Sequence, residues 1–224
     1  MADGRSRARR LDKFYMLLRR FIHAGFLLLR REAWDPRAIQ EYNLMLTGPG
    51  GPLHVTDSRI PHSISYHLAD IAVPELSRSL ASPLRPLPPL ATPLPNQSVP
   101  LVPLLTPYLT TLALCQSKAM WIRFTEGVFD PLLDSSLPVV APPAKKRRTE
   151  VKSKVDPEAV VVLNEAVEAQ GVEGEGERRL KAGVEVLKAL FVEGGKEGTD
   201  EVNRRRLYKY VKAREDASGV DVDL

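Results

Sequence analysis

A single cysteine, Cys115, stands among 224 residues. It leaves no internal disulfide and no thiolate metal cluster, and it fits a reducing compartment. Histidines number only four, His23, His54, His62 and His67. His62 and His67 are five residues apart, which matches neither helical spacing of a metal-binding pair. No HExxH, no Gly-x-Ser-x-Gly elbow, and no Walker Lys-Ser or Lys-Thr after the glycines of TGPGGP occurs. Carboxylate pairs such as Glu173 and Glu175 sit in glycine-rich sequence with no pocket to tune them. No metal, no cofactor, no small-molecule substrate and no catalytic residue is therefore expected. Long apolar runs are missing too. Between Arg20 and Arg30 lie nine uncharged residues, against the roughly 20 needed to cross a bilayer. The first ten residues are too charged for a secretory leader. Strand-like alternation never lasts beyond a few residues, so the expected class is all-α.

What is present is proline, unevenly placed. Nine of the 19 prolines fall between Pro83 and Pro107. The expected organisation is a helical core over residues 1–80, a proline-rich linker over 81–107, and a helical continuation over 108–135. A basic linker over 136–155 and a charged, partly disordered tail with short helices over 156–224 complete it. In the tail, Asp156 with Pro157 and then Thr199 read as helix starts. Pro74, inside a helical pattern that begins near Ser63, is expected to kink or end that helix.

The opening stretch, RRLDKFYMLLRRFIHAGFLLLRR, carries the clearest signal. At 100° per residue, Phe14, Leu18, Phe21, Ile22, Gly25 and Leu29 form one arc, with Leu11, Tyr15 and Phe26 beside them. Arg9, Lys13, Arg19, Arg20, Arg30 and Arg31 form the opposite arc, next to Arg10. The apolar arc is expected to pack into a core and the basic arc to face outward. Residues 1–31 hold nine Lys or Arg against two Asp, a net of +7. Such density attracts phosphate backbones or acidic protein. Lys145, Lys146, Arg147 and Arg148 form a compact basic run resembling a nuclear import signal.

Arg10-Leu11-Asp12-Lys13-Phe14-Tyr15-Met16-Leu17, followed by Arg19-Arg20, resembles a motif of the ribosomal RNA processing protein 1 family. A second stretch, Gly50 to Leu76, is similar to another segment of that family, with Pro61, Tyr66, His67, Asp70, Ile71, Glu75 and Leu76 in its places. The resemblance implies a helical-repeat (HEAT/armadillo-like) scaffold without catalytic activity. It implies location in the nucleus and nucleolus and a role in large (60S) subunit biogenesis. The implied partners are the pre-60S particle, other large-subunit assembly factors and pre-rRNA, with no membrane. It also implies further helices before the motif, in whose absence part of the apolar arc would lie bare. The competing expectation is a basic peripheral membrane or adaptor protein that uses the amphipathic opening helix and a docking segment at Pro86-Leu87-Pro88-Pro89.

Overall fold

The computed structural model describes residues 3–83, 98–138, 156–166 and 174–221, with side chains described from Leu11 onward. Regular structure among them is entirely helical. The elements are α1 (Asp3–Arg31), α2 (Pro36–Thr47), α3 (His62–Ala81), α4 (Leu101–Leu114) and α5 (Lys118–Phe124). A π-helical turn (Thr125–Phe129), α6 (Asp130–Ser136), α7 (Pro157–Glu165), α8 (Glu175–Gly195) and α9 (Glu201–Ser218) follow.

The centre of the molecule is α3. Leu68, Ala69, Ile71, Ala72, Val73 and Leu76 are all buried, so the helix has almost no solvent face. A helix buried on nearly every side must be surrounded, and α1, α5, the π-helical turn and α7 all pack on it. Small side chains permit this crowding. A Cβ on Gly127, in the π-helical turn, would lie 2.9 Å from the Ala69 carbonyl oxygen. Contrary to expectation, α3 runs through Pro74 to Ala81. A proline removes one backbone donor, and here the helices on every side hold both halves in line.

Two further expectations are corrected. Residues 81–107 do not all form a linker, because α4 begins at Leu101 and contains Pro103 and Pro107. Pro103 stands in the first turn, where no backbone donor is needed. Pro107 leaves the Pro103 carbonyl without its intrahelical partner, and Asn43 Nδ2 of α2 donates to that oxygen at 2.9 Å.

The second correction concerns residues 156–224, whose helices are built into the core rather than tethered to it. Leu163, Val186, Leu187, Leu190, Leu207 and Val211 are buried. The ladder of contacts is α7 on α3 and α6, α8 on α4 and α6, and α9 on α8 and α4. Val99 N donates to Glu165 O at 2.7 Å, tying the end of the proline-rich segment to α7. The charge pattern misled here. Most Lys, Arg and Glu of α8 and α9 face outward, Glu193 and Arg214 excepted, and each helix still buries a narrow apolar stripe. The cap of α9 also shifts by one position. Asp200, not Thr199, accepts from Val202 N and Asn203 N, while the Thr199 hydroxyl donates to Glu193 O.

Candidate interaction face

The first helix meets the third along a parallel seam. His67 Nε2 donates to the Tyr15 carbonyl at 3.2 Å, and Arg30 donates to the Ser82 carbonyl at 2.8 Å. Both pairs are 52 residues apart in the chain, so α1 and α3 run in the same direction in constant register. Like helices of successive helical repeats stand in this relation. The Tyr15 and His67 rings lie 4.5 Å apart. Asp70, one turn on, pairs with Arg123 of α5 at 2.6 Å, and Ile71 is buried. Tyr66 packs against the core and Pro61 precedes the first turn of α3. Asp12 and Phe14 are exposed. Of the two motif segments, Tyr15, His67, Asp70 and Ile71 thus serve the packing of α1, α3 and α5.

The arginines of α1 divide into two groups. Arg19 pairs with Glu75, a carboxylate with no exposure, which also faces His23 at 3.2 Å and Arg78 at 3.5 Å. Desolvating a carboxylate is costly unless cations and donors surround it, and α1 supplies two of the three. Arg30 donates to the Ser79 and Ser82 carbonyls at the end of α3. Its guanidinium thereby caps acceptors that the last turn leaves unpaired. Lys13, Arg20 and Arg31 are exposed and have no partner among the described residues. The side chains of Arg9 and Arg10 lie outside the described residues, as do Lys145, Lys146, Arg147 and Arg148. Among the described residues of the expected basic arc, then, the side chains without a partner are Lys13, Arg20 and Arg31.

The apolar arc divides as well. Ile22, Phe26 and Leu29 are buried against α2 and α3. A Cβ on Gly25 would meet the Tyr42 ring of α2. Phe14, expected in the core, is 41% exposed, and Phe21, likewise expected there, is 65% exposed. They form an outward stripe with Leu17 and Leu28, and Leu11 and Met16 of the same helix are also exposed, outside that stripe. A helical wheel could not separate buried from bare residues within one apolar arc, because it holds no information on how many neighbours a helix has.

Elsewhere the chemistry is quiet. Burial pushes the Cys115 thiol up to about 11, which makes it a poor nucleophile at neutral pH. No group of three His, Cys, Asp or Glu among the described residues is placed to hold a metal ion. No helix among them is long and apolar enough to cross a membrane. The reading of the sequence missed Arg214, whose guanidinium bridges Asp130 and Asp134 beneath Tyr210. It also missed the outer face of α9, where Arg205, Lys209 and Lys212 are exposed. Spacing of four and then three residues would have revealed that face.

Comparison with known proteins gives a consistent picture. A family model described as "Nucleolar protein, Nop52" matches residues 8–211. Human ribosomal RNA processing protein 1 homolog A is 24% identical over 240 aligned positions, covering 94% of this chain and 48% of its own length. Mouse ribosomal RNA processing protein 1 homolog B is 23% identical over 229, covering 92% of this chain and 29% of its own length. The chain spans about half or less of the length of these relatives.

Proposed function

This chain belongs to the Nop52 family of nucleolar proteins, and from that premise we propose that it acts in ribosome biogenesis and rRNA processing. The finer reading is a non-catalytic scaffold of the nucleolar pre-60S particle, touching pre-rRNA or acidic assembly factors. The observation that carries it is the span of the family match, which runs from α1 into α9 and so covers the whole helical frame rather than one motif. The free cations Lys13, Arg20 and Arg31 supply a face suited to a polyanionic neighbour. The basic run from Lys145 to Arg148 supplies a nuclear import signal.

The test is sedimentation of the tagged protein from cells on a sucrose gradient, with northern blots of pre-rRNA after its depletion. Co-migration with large-subunit precursors and accumulation of unprocessed large-subunit pre-rRNA are expected. Migration at the top of the gradient with unchanged pre-rRNA would overturn the reading. Replacing Lys13, Arg20 and Arg31 together by Glu is expected to weaken co-migration while leaving the helix content intact. Arg19 and Arg30 are unsuitable for this purpose, because their replacement disturbs the α1–α3 seam itself.

A further inference from the structure

Ser82 closes α3 and is followed at once by Pro83, which is exposed. A proline disfavours helical backbone in the residue before it, and Ser82 is extended, at φ −75° and ψ 134°. Its hydroxyl donates to the Arg78 carbonyl at 2.8 Å, an oxygen that the Ser82 backbone N–H also reaches at 3.1 Å. Losing the hydroxyl proton therefore leaves no acceptor unpaired. Arg85 stands three residues after Ser82 in the sequence. An extended hydroxyl residue before an exposed proline, with a basic residue third after it, is what a proline-directed protein kinase accepts. The kinase's pocket for the next residue takes a proline because no N–H there needs a partner. The sequence holds two other such pairs, Thr92-Pro93 and Thr106-Pro107. Thr92 lies outside the described residues. Thr106 stands inside α4 with its hydroxyl on the Val102 carbonyl and Pro107 buried beside it, so a kinase could reach it only by unwinding the helix.

The surroundings of Ser82 are cationic. Arg30 of α1 places Nη1 2.8 Å from the Ser82 carbonyl oxygen and 2.7 Å from that of Ser79. Its Nε and Nη2 make no hydrogen bond among the described residues. Arg78, one turn before Ser82, is 61% exposed and faces Glu75 at 3.5 Å. A helix C-terminus repels an anion with about half an elementary charge. Two guanidinium groups oppose that with a full charge each and offer charge-assisted hydrogen bonds, so attraction wins. We propose that Ser82 is a phosphorylation site and that Arg30 and Arg78 receive the phosphate, which clasps the end of α1 to the end of α3. The kinase transfers the γ-phosphoryl group of ATP. The bond from Ser82 Oγ to phosphorus forms and the bond from that phosphorus to the ADP oxygen breaks. The hydroxyl proton passes to the kinase's catalytic carboxylate. Access requires the last turn of α3 to fray at Ala81, which is exposed. The clasp joins residues 52 apart and takes none from the outward stripe of α1.

The full chain carrying Thr92→Ala, folded, is incubated with ATP and a cyclin-dependent protein kinase, and the sites are mapped by mass spectrometry. Phosphate on Ser82 is expected, formed about tenfold or more slowly after Pro83→Ala, with Thr106 unmodified. Modification of Ser82 only after unfolding in urea, or at a rate indifferent to Pro83, would overturn the site. Phosphorus NMR then follows the second ionisation of the phosphate, which lies at about pH 6 in a free phosphoserine. The comparison is with the phosphopeptide of residues 78–86, which keeps Arg78 and Arg85 and lacks Arg30. A pKa about half a pH unit lower in the folded chain than in the peptide is expected, since guanidinium favours the dianion. Urea should return it to the peptide's value, and Arg30→Gln should do so without urea. A folded chain whose phosphate titrates at or above the peptide's value, or stays lowered after Arg30→Gln, would overturn the clasp. The urea comparison decides the matter even where that variant does not fold.

Discussion

At the scale of single residues, a few buried polar groups hold the frame. Asn203 is fully buried, and its Nδ2 donates to the Cys115 carbonyl at 2.6 Å and the Ala113 carbonyl at 3.3 Å. Those oxygens lie at the end of α4, where no helical donor remains. Asn203→Ala should therefore cost about 1–3 kcal/mol, visible as a melting temperature lower by several degrees. Gly127→Ala should cost a similar amount, about 1–3 kcal/mol, because the new methyl presses on backbone rather than on a movable side chain. Alkaline pH acts on another set. Burial raises Tyr108, burial and then the neighbouring Tyr108 raise Tyr42, and burial and then Asp130 raise Tyr210. Cys115 moves from 9.0 to about 11. Each group is neutral in the fold and ionises more readily once unfolded, so its contribution is complete below about pH 9 and is lost as pH rises. Melting curves should hold steady from pH 7 to 9 and fall toward pH 11. Three of the six tyrosines should ionise, by absorbance at 295 nm, only with unfolding. Early ionisation of all six in a still helical protein would contradict these burials.

At the scale of elements, the two basic groups of α1 make opposite predictions. Arg19→Ala removes a partner from the buried Glu75 and should destabilise by about 1–3 kcal/mol, moderated by His23 and Arg78. Arg20→Ala touches nothing among the described residues and should change the melt by less than about 0.5 kcal/mol. Urea titration of the two variants compares them directly, and equal losses would show that the division of the arc is wrong. The elements themselves were partly legible. Asp35 before Pro36 and Asp156 before Pro157 both cap as their spacing implies, accepting from Ala38 N and from Glu158 N. The break between α4 and α5 falls at Cys115 to Ser117, where the Ser117 hydroxyl accepts from Met120 N and caps α5. What could not be read was the first half of α4, from Leu101 to Pro107, where local rules on proline point away from helix. Only a donor 60 residues away, Asn43, meets the carbonyl that Pro107 leaves open.

At the scale of the molecule, α7, α8 and α9 complete the core rather than decorate it. Removing residues 156–224 would uncover α3, α4 and α6 and take away Arg214 from Asp130 and Asp134. The shortened chain is expected to keep much of its helix signal but lose its sharp thermal transition and resist protease poorly. A sharp melt and protease resistance equal to those of the whole chain would show that the last three helices are indeed an appendage.

The sequence by itself determined that the chain is helical, where most helices start and stop, and which family its motifs resemble. These follow from period, caps and ordered residue identities, all of which are local. Only the tertiary structure decided which half of the first helix's apolar arc is covered, which arginines are spent on Glu75 and Ser82, and that the charged C-terminal third belongs to the core. Those outcomes depend on how many neighbours surround each face, and burial is a property of the assembled helices rather than of any stretch of chain.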